Sequence, residues 1–270
     1  MLKDRLIFSL LMQKGEYMLG RNFRLQRVGD LQWIKDNYDV DSILYSIDEL
    51  VVLNVDRGDK DIAIFVEHLA KLTRHCFMPV AAGGGIASLE DAYTILNAGA
   101  DKLIVNTVLI KNKPLLKDLV RSFGSQCIVG SIDFKKDGSY IRTFIKNGLE
   151  DSGLNLDQAI DNAIELGVGE IYLNSMDREG TGQGLELDIV RHVSERSSVP
   201  VIAAGGIERT DQFHEGIKKT GVKAVAASDL FYFMGDSLSK ARNTMCLNGC
   251  DMAKWGDIAE FFQLQQEGKG

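Results

Sequence analysis

The chain has 270 residues, of which 45% are hydrophobic, and it carries a formal net charge of −7. This length and apolar content can bury one sizeable core, so we expect residues 1–270 to form a single domain. The acidic balance argues against a nucleic-acid-binding surface, which needs basic side chains to neutralise phosphates. No apolar run approaches the roughly 18 residues that a membrane-spanning helix requires.

Short apolar runs alternate eight times with amphipathic stretches. The runs predict strands at Leu6–Met12, Leu50–Asn54, Val80–Ala82, Leu103–Val105, Ile128–Ile132, Ile171–Asn174, Val201–Ala204 and Ala224–Ala227. The stretches between them predict helices at Leu31–Tyr45, Asp61–Arg74, Ser88–Ala98, Pro114–Phe123, Leu156–Leu166, Leu187–Arg196, Arg209–Thr220 and Ser237–Met245. Apolar strands that alternate with helices are typical of a parallel sheet covered by helices. Eight such units in this length predict an α/β fold, the (β/α)8 TIM barrel.

The chain also repeats itself at an offset of 121 residues, for example from residue 79 to residue 200. Three segments return at this offset: Pro79–Ile86 as Pro200–Ile207, Glu49–Asp56 as Glu170–Asp177, and Lys102–Thr107 as Lys223–Ser228. A fixed interval between similar segments indicates two copies of one structural unit. We therefore predict two half-barrels, at about residues 1–122 and 123–245, followed by a tail at residues 246–270 that includes a terminal helix.

Two long segments interrupt the alternation. We interpret Met12–Gly29 as a long first loop and Phe134–Asn155 as a loop or hairpin insertion. The cysteines, at positions 76, 127, 246 and 250, are scattered, which is typical of reduced thiols in a cytoplasmic protein. We expect no metal site and no cofactor.

Glycines follow the third and the seventh predicted strands, at the end of the barrel where the βα loops gather. Glycine lets backbone N–H groups approach an anion, and the helix that follows adds its positive end. Gly83–Gly85 with Asn106 and Thr107 therefore predict one phosphate-binding cradle, and Gly205–Gly206 with Ala227 and Ser228 predict a second. Two cradles suit a ligand with a phosphate at each end. The alternative is that the glycines only permit tight turns from strand to helix.

The loop after the sixth strand, Asp177–Gly184, contains three glycines and two acids and is predicted to fold over a ligand. Asp177 corresponds to Asp56 in the first half. The alternative is that both aspartates cap the helices that follow them.

The fifth strand ends at Asp133, and the matching position of the first strand is Leu11. A pair of carboxylates facing each other across the barrel mouth could act as general acid and general base. Only Asp133 can exchange a proton. The loss of one positioned acid or base usually removes about 10²–10⁴ in rate.

These residues resemble one family, the cyclase subunit of imidazole glycerol phosphate synthase. The resemblance covers the chain to about Phe233 and rests on four motifs: Gly83–Ile86, Gly99–Thr107, Phe123–Gln126 with the strand end Ser131–Asp133, and Gly169–Gly180. It implies a class I glutaminase on the N-terminal face of the barrel, whose ammonia crosses the barrel to the opposite mouth. There the ammonia would react with a bis-phosphorylated ribulosyl formimino carboxamide nucleotide, giving imidazole glycerol phosphate and an aminoimidazole carboxamide ribotide.

The resemblance also implies roles for individual residues. It implies an ammonia entrance formed by Arg5, Glu49, Lys102 and Glu170, a catalytic Asp133, and phosphate ligands at Gly85, Asn106 and Thr107 on one side and Gly180, Gly206, Ala227 and Ser228 on the other. All four entrance residues precede apolar strand runs, and a ring of two bases and two acids can offset part of its own desolvation cost. The alternative is that they are solvated charges at strand ends.

The chain departs from the family at three positions. Leu11 replaces a catalytic aspartate, Leu19 a lysine of the first loop, and Asn54 an acid after the second strand. This pattern resembles the paralogous branch linked to surface-polysaccharide (lipopolysaccharide) biosynthesis, in which a barrel and a glutaminase supply ammonia to a separate sugar amidotransferase. Three alternatives stay open: the ordinary histidine-pathway lyase, a non-catalytic phosphate-binding activator of the glutaminase, and an isomerase of the related sugar-phosphate barrels.

Overall fold

The computed structural model describes residues 2–37, 46–58, 62–74, 76–138, 140–229 and 235–253. The strands within them are β1 (Arg5–Gln13), β2 (Glu16–Arg21), β3 (Arg24–Gly29), β4 (Glu49–Asn54), β5 (Val80–Gly83), β6 (Lys102–Val105), β7 (Ile128–Asp137), β8 (Tyr140–Ile145), β9 (Glu150–Asn155), β10 (Glu170–Ser175), β11 (Val201–Ala204) and β12 (Ala224–Ala227). The helices are α1 (Leu31–Asn37), α2 (Ile62–Thr73), α3 (Leu89–Asn97), α4 (Val108–Lys111), α5 (Lys113–Phe123), α6 (Leu156–Glu165), α7 (Leu187–Arg196), α8 (Thr210–Thr220) and α9 (Ser237–Leu247), with a 3₁₀ turn at Ser125–Cys127.

Eight of these strands close into a parallel barrel in the order β1, β4, β5, β6, β7, β10, β11, β12 and back to β1. Each coincides with one of the predicted strands, so the predicted fold class is confirmed. The first predicted helix begins at Leu31 as expected, and its remainder at residues 38–45 lies outside the described residues.

Two antiparallel hairpins extend the barrel at its C-terminal end. β2 pairs with β1 and β3, and β8 pairs with β7 and β9. The segment Phe134–Asn155 is thus a hairpin, one of the two forms predicted for it. The interpretation of Met12–Gly29 as a loop was wrong, because its residues also form paired strands. β1 and β7 have 9 and 10 residues, against 4 in β5, so their ends project beyond the barrel and bond to a further strand.

The core has two parts. One lies between the strands and the surrounding helices, and it includes Leu6, Phe8, Leu103 and Phe213. The other fills the barrel interior with the inward-facing side chains of alternate positions, among them Ile7, Val51, Ile104 and Tyr172. Both faces of the barrel strands are therefore buried, which explains their continuous apolar runs.

The tail begins by completing the N-terminal face. Met252 forms a parallel bridge with Asp4, and the Asp251 N–H donates to the Asp4 carboxylate at 2.8 Å. The Arg242 guanidinium of α9 donates to the buried Asp48 at 2.9 Å. The described part of the tail contains the end of α9, and residues 254–270 lie outside the described residues. In the described ranges, no helix is long and apolar enough to cross a membrane.

Candidate functional site at the barrel mouth

A cavity of about 690 Å³ lies at the C-terminal mouth of the barrel, between the strand ends and the two hairpins. Leu11 and Asp133 contribute to its wall, as do Gly85, Asn106 and Thr107. The structure therefore brings together the predicted catalytic pair and the predicted first cradle. This end of a (β/α)8 barrel is the one that carries active sites.

Asp133 is held in place by the neighbouring strand. The Asn106 side-chain amide donates to the Asp133 carboxylate at 3.3 Å and also to the carbonyls of Ser131 and Phe144. The side-chain amide of Asn106 thus orients the acid, and the role of Asn106 in phosphate binding stays a prediction. Leu11 lies against the first hairpin, with its Cδ1 atom 3.1 Å from the point where a Cβ on Gly20 would stand.

The first cradle combines glycine backbone with cations. Gly84 and Gly85 have positive φ angles of 102° and 97°, and a Cβ on Gly84 would lie 2.3 Å from the Asn54 carbonyl oxygen, so only glycine fits there. Thr107 accepts from the Lys146 N–H at 3.3 Å, which brings the turn of the second hairpin to the cradle. Lys146 and Arg57 both line the cavity, as do the acids Asp56 and Asp133.

The second predicted cradle is arranged differently. Gly180, Gly206, Ala227 and Ser228 do not contribute to the cavity lining found in the described part of the chain. The Ser228 hydroxyl donates to the carboxylate of Glu179. The one side-chain hydrogen-bond donor of this cradle is therefore bonded to a carboxylate of the same chain.

Glu179 is a cavity-lining acid that the sequence analysis did not single out. It is 6% exposed, and its Oε1 atom lies 3.2 Å from the Cβ position on Gly20. Burial raises the pKa of Glu179 to about 7; the Ser228 hydrogen bond opposes this rise, and the nearby Asp229 adds to it. In the sequence, Glu179 follows Asp177 and Arg178 in a glycine-rich loop, where an acid is usually exposed to solvent. The sequence therefore gives little indication that Glu179 is buried in the cavity wall.

The loop after β10 is joined to the first hairpin. The Asn22 N–H donates to the Glu179 carbonyl at 2.7 Å, and the Asn22 side-chain amide donates to the Asp177 carbonyl at 2.8 Å. The Asp177 carboxylate accepts from the Lys136 N–H at 2.9 Å. Because α7 begins at Leu187, Asp177 is not its N-cap.

A ring of four charged residues lies at the opposite end of the barrel, and each is the first residue of its strand. Arg5 donates to Glu49 at 2.7 Å and also to Glu170, and Lys102 donates to the same two carboxylates at 2.9 Å each. Burial alone would raise the pKa of Glu170, but Arg5 and Lys102 hold it below its usual value. The ring is closed, alternates in sign and has no net charge.

A polar pair lies inside the barrel between the ring and the mouth. The Tyr172 hydroxyl and the Ser9 hydroxyl are 3.0 Å apart, and both residues are buried. They belong to β10 and β1, which are three strands apart around the barrel, so the phenol crosses the interior. Burial raises the pKa of Tyr172. Among the described residues, no group of three His, Cys, Asp or Glu side chains could hold a metal ion.

The fold and this site define a class of protein: a (β/α)8 barrel with polar and ionisable groups gathered at its C-terminal mouth and a charged ring at its base. The model of the histidine biosynthesis protein family matches residues 33–236. The chain belongs to this family and is of the imidazole glycerol phosphate synthase HisF type.

Three relatives illustrate this membership. A protein of Parasynechococcus marenigrum, provisionally named imidazole glycerol phosphate synthase subunit hisF2, is 39% identical over 90% of each chain. Imidazole glycerol phosphate synthase subunit HisF of Pyrobaculum aerophilum is 36% identical over 88% of this chain and 92% of its own. The subunit HisF of Streptococcus sanguinis is 36% identical over 93% of this chain and 99% of its own.

Proposed function

We propose that this chain is the barrel subunit of a glutamine-dependent synthase. It receives ammonia from a class I glutaminase at the charged ring, conducts it to the C-terminal mouth and supplies it for the amidation or amidination of a surface sugar by a separate amidotransferase. The observation that carries the proposal is the ring of Arg5, Glu49, Lys102 and Glu170, because four charged side chains at the first positions of their strands bond to one another at the N-terminal end of the barrel.

The charges of the ring favour the passage of a neutral molecule over that of an ion. Each cation is neutralised by carboxylates within the ring, so an ion that enters would have to displace a partner and leave a charge unpaired, which is costly in a buried site. Neutral ammonia can exchange hydrogen bonds with the carboxylates without separating charge. Beyond the ring, passage requires the Tyr172 side chain to move away from Ser9.

The residues at the barrel mouth favour a role other than efficient cyclisation. Leu11 occupies the position of one of the two acids, and Asp133 is the only member of that pair that can transfer a proton. The name hisF2 of the Parasynechococcus marenigrum relative distinguishes it from subunits named HisF, which supports a separate branch. The surface-sugar (lipopolysaccharide) role is proposed from the resemblance of these departures to the paralogous branch linked to surface-polysaccharide biosynthesis.

The coupling of glutamine hydrolysis to nitrogen transfer tests the proposal. We expect Lys102→Met to increase the free ammonia released per glutamine hydrolysed by about tenfold. Without this cation the ring no longer closes around the N-terminal end of the barrel, so ammonia can escape to solvent. The matched control is Lys223→Met. Lys223 stands 121 positions after Lys102 on the same face but pairs with Asp4 outside the ring. Both variants are assayed with the glutaminase, the amidotransferase and the sugar acceptor. Unchanged coupling in Lys102→Met would contradict the proposal.

A second candidate is the ordinary histidine-pathway lyase. It is favoured by Asp133, which retains a place in the cavity and a hydrogen bond from Asn106, and by the HisF names of two relatives. The unmodified chain, supplied with ammonia and the bis-phosphorylated nucleotide, separates the two candidates. Turnover comparable to that of a HisF relative in the same assay would favour the lyase.

A further inference from the structure

One polar contact crosses the apolar interior of the barrel. The Tyr172 hydroxyl of β10 lies 3.0 Å from the Ser9 hydroxyl of β1, and both side chains are buried. The two strands are separated around the barrel by β11 and β12. The other buried members of the core inside the barrel are alanine, valine and isoleucine side chains. The two hydroxyls, called the hydroxyl pair below, are thus surrounded by groups that cannot form hydrogen bonds.

The strands between the two hydroxyls leave room for the phenol ring. β11 and β12 contribute three alanines to the core inside the barrel, Ala204, Ala224 and Ala226. Small side chains here allow a large ring to fill the space without a clash. The residue 121 positions before Tyr172 is Val51, which also lies inside the barrel but has no polar group. The phenol is therefore specific to the second half of the chain and is not a product of the internal repeat.

The hydroxyl pair lies between the ring and the mouth. On β10, Glu170 belongs to the ring, Tyr172 is the next residue to face inwards, and Asn174, the one after it, lines the cavity at the mouth. The Asn174 Oδ1 atom is buried and has no hydrogen-bond partner within the described ranges. A buried acceptor without a donor is costly, so this atom favours a passing molecule that carries N–H or O–H groups.

The hydroxyl pair can form hydrogen bonds with ammonia in an otherwise apolar passage. Burial raises the pKa of Tyr172, so its phenol is neutral and can both donate and accept. Ammonia has one lone pair and three N–H groups, so it can accept from one hydroxyl and donate to the other. One hydrogen bond is then broken and two are formed. The net gain of one bond offsets part of the cost of removing ammonia from water.

We propose that Ser9 and Tyr172 form an ammonia-binding step inside the barrel, at which ammonia replaces the bond between the two hydroxyls with one bond to each. From there the ammonia donates to Asn174 and enters the mouth. This inference rests on the ammonia conduction of the proposed function and specifies the step between the ring and the mouth. When no ammonia is present, the two hydroxyls satisfy each other.

A double-mutant cycle tests the inference. Tyr172→Phe, Ser9→Ala and the two combined are assayed with the glutaminase, the amidotransferase and the sugar acceptor. Each single variant keeps one hydroxyl, which is unpaired until ammonia bonds to it, so the net gain is again one hydrogen bond. We expect the free ammonia released per glutamine hydrolysed to stay within about twofold of that of the unmodified chain. In the double variant it should rise about fivefold, because ammonia without this bond crosses more slowly and escapes to solvent.

A matched control removes the same atoms from buried positions outside the barrel interior. Tyr17 lies in the core between the strands and the helices, and Ser175 is buried on the opposite face of β10 from Tyr172. We expect the double variant Tyr17→Phe/Ser175→Ala to leave the release of ammonia unchanged. Ammonium chloride added without glutamine provides a second control. It reaches the acceptor from solution, so nitrogen transfer from it should be equal in all variants.

Three results would overturn the inference. The first is unchanged release in the double variant of Ser9 and Tyr172, and the second is an equal rise in the single and double variants, which would make the bond itself the essential feature. The third is a loss of transfer from added ammonium chloride, which would assign the effect to a distorted mouth. If Lys102→Met leaves coupling unchanged as well, the proposed conduction fails. If Lys102→Met uncouples and the double variant does not, only this inference fails.

Discussion

At the scale of single residues, Leu11 limits the chemistry of the mouth. The Asp133 carboxylate is positioned by Asn106, but the side chain at the matching strand end is an alkyl group that can neither give nor accept a proton. Leu11 packs against Gly20 instead, and so contributes to the contact between strand β1 and its hairpin.

Restoring the acid should restore part of the cyclisation. With ammonia and the bis-phosphorylated nucleotide, we expect Leu11→Asp to raise kcat by about 10²-fold or more, because a second positioned acid or base contributes about that much. Leu11→Asn has the shape of aspartate without its proton chemistry and should leave kcat unchanged. An equal gain in both variants would mean that shape, not proton transfer, is responsible.

Glu179 should make the protein less stable as pH rises. Its pKa is about 7 in the folded state against an ordinary value of 4.5, so the folded chain binds this proton more tightly than the unfolded chain. Below pH 4.5 both states are protonated and there is no penalty. Between pH 4.5 and 7 the free energy of unfolding falls, by up to about 3 kcal/mol in total.

Denaturant unfolding of the unmodified chain and of Glu179→Gln across this range gives the contribution of this one group. As pH rises, the free energy of unfolding of the unmodified chain should fall relative to that of Glu179→Gln. A constant difference would show that Glu179 is not held protonated by burial.

At the scale of elements, the two hairpins convert an open barrel rim into a walled cavity. The first hairpin contributes Gly20, Phe23 and Leu25 to the cavity, and the turn of the second contributes Lys146 and Leu149. Each hairpin follows the first strand of a half-barrel, so the two-fold repeat extends to these insertions although their sequences do not match. The loop after β10 joins them, with Asn22 bonded to its backbone.

At Gly180 this loop lies close to the backbone of the first hairpin. Its φ angle is 65°, and a Cβ would lie 2.0 Å from the Gly20 carbonyl oxygen. We expect Gly180→Ala to lower the free energy of unfolding by about 2–3 kcal/mol, from both the strained backbone and the displaced hairpin. Gly138→Ala is the matched control, since its φ is 62° and no atom of the described residues lies within 4 Å of its Cβ position.

The control variant should lose only the backbone contribution, about 1 kcal/mol. Limited proteolysis of the first hairpin provides a second measurement, with faster cleavage expected in Gly180→Ala alone. Equal destabilisation by the two variants would show that the contact with Gly20 adds nothing.

At the scale of the whole molecule, the barrel separates two sites along its axis. The ring at the N-terminal face is held by Arg5 and Lys102, and the cavity at the C-terminal mouth contains Asp133 and Glu179. The interior between them is filled by apolar side chains and the pair Tyr172 and Ser9. Strand β10 connects all three levels, since Glu170, Tyr172 and Asn174 point inwards at successive alternate positions.

The sequence by itself determined the order of strands and helices, the two-fold repeat and the end of the barrel at which each candidate residue lies. These properties follow from local periodicity, because an apolar run buried on both faces and a helix with one apolar face differ over a few residues. The ring residues could be predicted to share a face because each precedes a strand. The hydrogen bonds among these four residues could not be predicted from the sequence.

Only the tertiary structure decided which side chains meet. The side chain of Asn106 bonds to Asp133, the Ser228 hydroxyl bonds to Glu179, and Met12–Gly29 folds into a hairpin. Each outcome depends on strand register and on the path of loops from distant parts of the chain. A cradle of glycines and a hydroxyl can be recognised in the sequence, but whether an acid 49 residues away fills it is determined by the folded chain alone.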